Sequence, residues 1–265
     1  MAKEKKRLDQ RVQELVPQYS RQQIQSWIMQ GKVMVDDKVV TKPGVQVTDD
    51  MAVRVNSEEP KFVSRAGFKL EKALDHFAID VTNLVAMDAG ISTGGFTDCL
   101  LQRGIQKVYG IDVGYGQVHH KVLQDPRVIL RERTNLRLLQ GLDELVDLVT
   151  LDLSFISVLK VMDVIDRLLK TGGHLIILIK PQFEAEKHEV GKGGIIRDEQ
   201  IHKKVIERVT QGVVAHNYTL VGVIDSPIHG GSGNKEFLAY FTKTDDLVSS
   251  FHPLPANFSK SYSSS

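Results

Sequence analysis

Apolar residues recur at two different periods along this chain, and the change of period divides it. Leu8, Val12, Leu15 and Val16 fall at helical spacing, and Pro17 ends that run. Ser20 reads as an N-cap, with Gln23 three residues on to complete a capping box. The helix that follows sets Ile24, Trp27 and Ile28 on one face and stops at Gly31, a C′ position. In that company Trp27 reads as core rather than as a platform for stacking bases. Short strands at turn spacing come next: Val33-Met34-Val35, a turn at Asp36-Asp37, Val39-Val40, a turn at Lys42-Pro43-Gly44, then Val45, Val47 and Val53-Arg54-Val55. Glu58-Glu59-Pro60 punctuates the chain and marks a boundary.

From Leu84 onward the pattern changes to apolar runs alternating with amphipathic stretches. Strands are predicted near 84–88, 107–112, 127–130, 147–152, 174–179, 219–225 and 235–242. Helices are predicted near 67–76, 95–103, 116–122, 157–170 and 198–215. This alternation predicts an α/β fold, a seven-stranded and mostly parallel sheet with helices on both faces, beside a small N-terminal α+β domain. The segment 229–234 is too short for a crossover helix, so the last two strands are expected to form an antiparallel hairpin. The resulting division is 1–59 for the small domain, 60–66 for a linker, 67–245 for the sheet domain and 246–265 for a Ser-rich tail.

Charge sharpens the picture at one end only. The whole chain has a formal net charge of +1, yet through Lys42 it carries nine Lys/Arg against five acids, a local excess of four positive charges of the kind phosphate backbones attract. Cys99 is the single cysteine, which excludes an intramolecular disulfide and a cysteine metal cluster and suits a reducing compartment. The lysine-rich start lacks the apolar stretch of a secretion signal, and no segment reaches the roughly 20 apolar residues of a membrane span. A cytoplasmic protein is expected, with no metal site, since the adjacent His119 and His120 read as surface residues.

The strongest local motif is Met87-Asp88-Ala89-Gly90-Ile91-Ser92-Thr93-Gly94-Gly95-Phe96-Thr97-Asp98, which follows the first large-domain strand and opens a helix. Its glycines let a ligand approach the backbone. Asp112, ending the next strand, can accept both ribose hydroxyls of an adenosine moiety. Gly90-Ile91-Ser92-Thr93-Gly94 also fits the elbow of a serine hydrolase, with Asp225 and His229 following in triad order. That reading places the nucleophile after the first strand instead of well into the sheet, and it leaves Asp112 unused. The spacing is not that of a nicotinamide fingerprint, and the glycines of 229–235 fail the phosphate-loop pattern. Three further residues sit at strand ends: Asp152 closes the run 147–151, Lys180 closes 174–179 and Glu236 opens the last strand; a fourth, Lys69, lies on the helix before the first. Such a set, gathered at the reactive edge of an α/β sheet, can hold a hydroxyl and take its proton.

The first 55 or so residues resemble the small RNA-binding domain of the S-four type, shared by a ribosomal protein, pseudouridine synthases and tyrosyl-tRNA synthetases. The matching residues are Arg7-Leu8-Asp9, Ser20-Arg21, Ile24, Ile28, Gly31-Lys32-Val33 and Val35. The resemblance implies structured RNA as partner, with Arg7, Arg11, Arg21, Lys32 and Lys38 as phosphate contacts; Arg65, outside the region it covers, is a further RNA-binding candidate.

Nearly the whole chain resembles the TlyA family of rRNA methyltransferases, long labelled haemolysins, whose catalytic domain is similar to FtsJ-type 2′-O-methyltransferases. The resemblance rests on Ser64–Leu70, Asp88–Asp98, Asp112–Gln117, Arg133-Thr134-Asn135, Asp152-Leu153-Ser154-Phe155-Ile156-Ser157, Lys180-Pro181-Gln182-Phe183-Glu184, Gly193–Asp198 and Lys235-Glu236-Phe237. It implies a Rossmann-like class I methyltransferase fold and S-adenosylmethionine as donor. The implied donor contacts are Asp88, Gly90, Ser92, Thr93, Gly94, Gly95, Phe96, Asp112, Thr134, Asn135 and Asp152. The implied catalytic set is Lys69, Asp152, Lys180 and Glu236, acting on the ribose of a large-subunit cytidine in ribosomal RNA or a ribosomal subunit. Lys180 could serve as general base or as an electrostatic stabiliser of the alkoxide. Two rival readings are a non-catalytic RNA-binding or assembly factor, and a membrane-active haemolysin.

Overall fold

The computed structural model describes residues 5–56, 60–230 and 233–245. The chain divides into two compact units, 1–61 and 62–265. In the first, β1 (Lys5–Arg7) leads directly into α1 (Leu8–Leu15) and α2 (Arg21–Met29), followed by β2 (Val33–Val35), β3 (Lys38–Val39), β4 (Gln46–Thr48) and β5 (Val53–Val55). Strand β1, which the hydrophobic pattern did not reveal, pairs antiparallel with β4, while β2 lies between β3 and β5. The helices form where the pattern placed them. Ser20 and Gln23 make the reciprocal capping box, and Gly31 takes the left-handed φ of +73° just past the end of α2. Asp36 and Asp37 both have positive φ, which turns the chain tightly between β2 and β3. Leu8, Val12, Ile24, Ile28, Val33, Val35 and Val47 close a small core, and Trp27 is buried with its ring edge-on to Tyr19.

One charge network organises this unit. Asp9 is fully buried, and its carboxylate accepts from Arg7 Nε and Nη2 at 2.9 and 3.0 Å, from Gln25 Nε2 at 2.8 Å and from Arg21 Nη2 at 3.2 Å. The Arg7 guanidinium, helped by Gln25 and Arg21, holds the Asp9 carboxyl far below the usual carboxylate range. Arg7 and Arg21 are therefore ion-paired through Asp9, with 43% and 60% of their side chains exposed. Arg11 pairs with Glu14 at 3.1 Å, Lys32 is half-buried, and Lys38 and Arg65 are exposed.

The second unit begins at Phe62. The expected linker 60–66 is corrected here: the Phe62 ring is buried, a Cβ on Gly67 would overlap it, and the Val63 N–H donates to Asp98 Oδ2 at 2.8 Å. The elements in order are α3 (Ala66–His76), β6 (Val85–Ala89), α4 (Gly95–Gln102), β7 (Lys107–Ile111), α5 (His120–Leu123), β8 (Val128–Arg131), β9 (Val146–Leu151), α6 (Met162–Leu168), β10 (Leu169–Ile179), α7 (Pro181–Glu184), α8 (Glu199–Val214), β11 (Tyr218–Asp225) and β12 (Phe237–Lys243). The sheet order is β11-β12-β10-β9-β6-β7-β8, parallel except for β12, which is antiparallel to both of its neighbours. The runs in β9 and β10 are apolar without alternation because both faces are covered. Val149, Leu151, Leu175 and Ile177 pack in one core with α6 and α8 residues, and Leu148, Ile176 and Leu178 pack in the other with α3 and α4 residues.

Two expected helices are shorter than the pattern suggested. Of 116–122, only His120–Leu123 is helical, because the His119 side chain caps it by accepting the Lys121 N–H. Of 157–170, a 3-10 turn at Val158–Val161 precedes α6, and Leu169 leaves the helix to pair with Val146. The Lys243 ammonium fixes that exit by donating to the carbonyls of Asp166 and Leu169 at 2.6 and 2.8 Å. The expected tail 246–265 lies outside the described residues, as do Glu58 and Glu59.

Candidate active site

The parallel strands β6, β7, β8 and β9 end on one edge, and a cavity of about 550 Å³ opens there. Gly90 forms part of its floor with a φ of +85°, and a Cβ at this position would lie 2.5 Å from the Asp152 carbonyl oxygen. Only glycine fits there. Asp112 stands on the opposite wall, its Oδ2 accepting the Ser92 N–H at 2.8 Å and its Oδ1 the Gly114 N–H at 2.7 Å. Its carboxylate is thus held by two backbone donors where it lines the cavity. Thr134 and Asn135 line the same space, the first tied to Asp112 through its N–H and the Asp112 carbonyl at 2.8 Å.

Of the expected donor contacts, Gly90, Ser92, Asp112, Thr134, Asn135 and Asp152 line this cavity, whereas Asp88, Thr93, Gly94, Gly95 and Phe96 do not. The second group builds the loop instead. Gly94 and Gly95 lack room for a Cβ, against Val122 and against Ser64 and Ala66, while Phe96 sits in the core. Asp88 is fully buried beneath the loop, accepting from Thr97 Oγ1 at 2.7 Å and Thr150 Oγ1 at 2.9 Å. Burial pushes its carboxyl up to about 6, above the ordinary 3.8. A raised folded value favours the protonated form, so this stabilising contribution is complete below about pH 4 and fades as pH rises through about 6. Asp88→Asn is therefore expected to flatten the fall in melting temperature between pH 4 and 7. A variant whose stability tracks the wild type across that window would show that Asp88 is not its source.

Two ion pairs stand at the adjoining strand ends. Lys180, directly after β10, places Nζ 2.6 Å from Asp152 Oδ1 and donates to Ser154 Oγ at 2.9 Å. Lys69, on the first turns of α3, donates to Glu236 Oε2 at 2.5 Å. The side chains of Lys69 and Glu236 are 9% and 3% exposed, those of Lys180 and Asp152 11% and 17%, so both pairs are largely shielded from water. Strand register brings the pairs to one place. Ile179 pairs with Phe237, which sets Lys180 beside Glu236, and Ile177 pairs with Leu151, which sets Asp152 on the neighbouring strand. All four expected residues therefore converge.

Sequence reasoning assigned no role to Ser154 or Phe155, although it singled out their motif. Phe155 is 90% exposed with a φ of +66°, and its ring lies 4.9 Å from that of Phe183. An exposed phenylalanine in left-handed backbone beside a charged site is a strained arrangement that points to function.

Comparison with known proteins identifies the family to which this geometry belongs. Residues 62–243 match the model of the FtsJ-like methyltransferase, and residues 6–53 match the S4 domain. The chain belongs to the FtsJ-like methyltransferase family. Within it, the chain is 41% identical over 87% of its length to TlyA of Mycobacterium tuberculosis, a 16S/23S rRNA (cytidine-2′-O)-methyltransferase, covering 87% of that relative. It is 40% identical to Hemolysin A of Brachyspira hyodysenteriae over 89% of its own length and 99% of the relative's. A solved structure of a Streptococcus thermophilus protein described as a hemolysin superposes with a TM-score of 0.71 at 38% identity, over 92% of this chain and 90% of that one. Among the described residues no helix is long and apolar enough to cross a membrane.

The donor of an FtsJ-like methyltransferase is S-adenosylmethionine, and the cavity residues fit it: an acceptor pair on Asp112 for ribose hydroxyls, and a glycine floor that admits the ligand against the backbone. Asp112→Ala is expected to weaken donor binding by roughly 1.5–3 kcal/mol, the worth of hydrogen bonds to a charged group. Calorimetric titration of a folded variant with unaltered affinity would remove Asp112 from the donor site. The hydrolase alternative fails on geometry. Asp225 ends β11, four strand spacings of about 4.8 Å from β6, and it is paired with Lys235 at 2.9 Å.

Proposed function

We propose that this chain is a cytoplasmic enzyme that transfers the methyl group of S-adenosylmethionine to a ribose 2′-hydroxyl of ribosomal RNA, a cytidine of the large subunit, presented as rRNA or within a ribosomal subunit. The observation that carries the reading is the meeting of the Lys180–Asp152 and Lys69–Glu236 pairs beside the donor cavity. The name of the Mycobacterium tuberculosis relative supports the substrate class, and the N-terminal S4 domain supports RNA as partner.

The donor, when bound, supplies an electrophilic methyl group on a sulfonium. The chemistry left to the protein is to deprotonate and aim a weak nucleophile. Lys180 takes the hydroxyl proton as the bond to carbon forms, and its position is held by Asp152 and Ser154. Lys69 and Glu236 form the second wall of the hydroxyl site. Lys69 supplies positive charge toward the developing alkoxide, while Glu236 orients Lys69 and balances its charge. Burial of both pairs strengthens these interactions by excluding water. Phe155 and Phe183 offer aromatic faces beside Lys180 for a base turned out of its stack.

Transfer of labelled methyl from S-adenosylmethionine to rRNA or subunits tests the reading. Resistance of the product linkage to alkali marks a ribose 2′-O position. Label that enters a base instead would reject it.

A further inference from the structure

The loop after β9 and the segment after β10 carry opposite halves of the site. The first supplies Asp152, Ser154 and Phe155 and, from Leu153 to Ile156, one wall of the donor cavity. The second supplies Lys180 and Phe183. They meet through the shielded Lys180–Asp152 contact and, at the surface, through the Phe155–Phe183 rings. The ring contact does little to hold the loop, because Phe155 is almost wholly exposed and its backbone is strained.

Underneath lies a different connection. Glu184 ends α7 and is only 5% exposed. Its Oε1 accepts the Val158 N–H at 2.8 Å, at the start of the 3-10 turn that leads into α6. Its Oε2 lies 3.9 Å from Arg208 Nη2 on α8. A carboxylate meeting free N–H groups at a helical start is a favourable, directed anchor. Burial raises the Glu184 carboxyl above its ordinary value, the cost of placing an acid there. The half-buried Ser157 side chain, which accepts the Leu159 N–H at 3.3 Å, caps the same helical start and also hydrogen-bonds the Glu184 carboxylate. A second, buried acid reaching across from the lysine-bearing segment is needed only if the two segments must keep a fixed spacing.

We propose that Glu184 is a positioning residue: its carboxylate ties the loop after β9 to the segment after β10, and so sets the Lys180–Asp152 contact and the loop-side wall of the donor cavity. The proposal rests on the methyl-transfer reading for its kinetic consequence, but not for its effect on donor binding.

The bond can be broken from either side. Glu184→Ala removes the acceptor. Val158→Pro removes the donor at the first position of a helical turn, where proline is tolerated, after a Ser157 whose backbone (φ −69°, ψ 137°) already suits a following proline. Each variant is expected to lower single-turnover methyl transfer by about tenfold to a hundredfold, the scale of a misplacement near 1 Å. Each should also weaken donor binding several-fold, with RNA affinity unaltered. The double variant should be no worse than Glu184→Ala alone, because both changes remove the same Glu184–Val158 bond and only Glu184→Ala also removes the Arg208 contact. Asp147→Ala serves as control. It breaks a comparable carboxylate bond, to the Val85 N–H at 2.9 Å, at the opposite end of the sheet, and should lower stability alone. If Glu184→Ala fails to fold, Val158→Pro measured well below its melting temperature still decides. Wild-type rate and donor affinity in Val158→Pro, or effects that multiply in the double variant, would overturn the proposal. Absence of transfer by the wild type would strike the methyl-transfer reading instead, leaving donor titration to test the clamp.

Discussion

Lys180→Ala is expected to lower methyl transfer by about 10²–10⁴-fold, the range a positioned acid–base group contributes, while donor affinity stays near that of the wild type. The reason is placement. Lys180 follows β10, and its ammonium contacts Asp152 and Ser154 at the site's edge, whereas the cavity is lined by residues between Gly90 and Val161. Lys180→Arg should fail as well, because a guanidinium keeps the charge but does not give up a proton readily. Lys69→Ala, Asp152→Ala and Glu236→Ala should each reduce the rate, and pairs of these changes should be non-additive because the groups act as one unit. The pH dependence separates two jobs. A base must be neutral, so the single-turnover rate rises with pH; an electrostatic stabiliser must be charged, so the rate does not. A flat profile with substantial activity in Lys180→Arg would leave only the stabilising role.

Removal of residues 1–61 is expected to produce the second large effect, a fall in RNA affinity of about a hundredfold or more with donor binding intact, as expected when several phosphates are no longer neutralised. The first unit carries the excess positive charge of residues 1–42, and the donor cavity draws all its lining from the second unit. For every phosphate that the protein ceases to neutralise, the slope of log affinity against log salt should shrink by about 0.9 on duplex and somewhat less on single strands. Charge reversal at Arg11, Lys32 and Lys38 should flatten that slope with little effect on folding. Reversal at Arg7 or Arg21 should also destabilise the unit, because it strips the fully buried Asp9 of its cations. Filter binding across a salt series, with melting temperature as a companion measurement, tells these outcomes apart. A truncated protein with native affinity and slope would assign the S4 domain some other purpose.

How far the sequence could be read follows from what kind of interaction made each feature. Continuous apolar runs, helical spacing and cap residues are local signals, so the sheet strands and the capping box at Ser20 were visible directly. The hairpin of β11 and β12 was visible too, because a short glycine loop leaves no room for a crossover. Asp152, Lys180 and Glu236 were legible because strand ends converge in any sheet of this kind, and Lys69 through the family resemblance. The features missed depend on distant partners. Strand β1 is three residues long and exists through pairing with β4. The early end of α6 depends on Lys243, 74 residues away in sequence from Leu169. The bond between Asp88 and Thr150 follows from strand pairing, which the motif alone does not show. Phe62, buried against Gly67, took residues 62–66 of the expected linker into the catalytic unit.

Methylation of a ribose hydroxyl at the Lys180 site is the step on which everything else depends. Its most direct test is a single-turnover reaction with labelled S-adenosylmethionine and ribosomal RNA or subunits, run in parallel with wild-type protein and Lys180→Ala, followed by alkaline digestion of the product. The expected result is one class of alkali-resistant, labelled dinucleotide with cytidine at its 5′ side from the wild type, and none from Lys180→Ala despite normal donor binding. Label released entirely as mononucleotides, or an equal yield from Lys180→Ala, would contradict it.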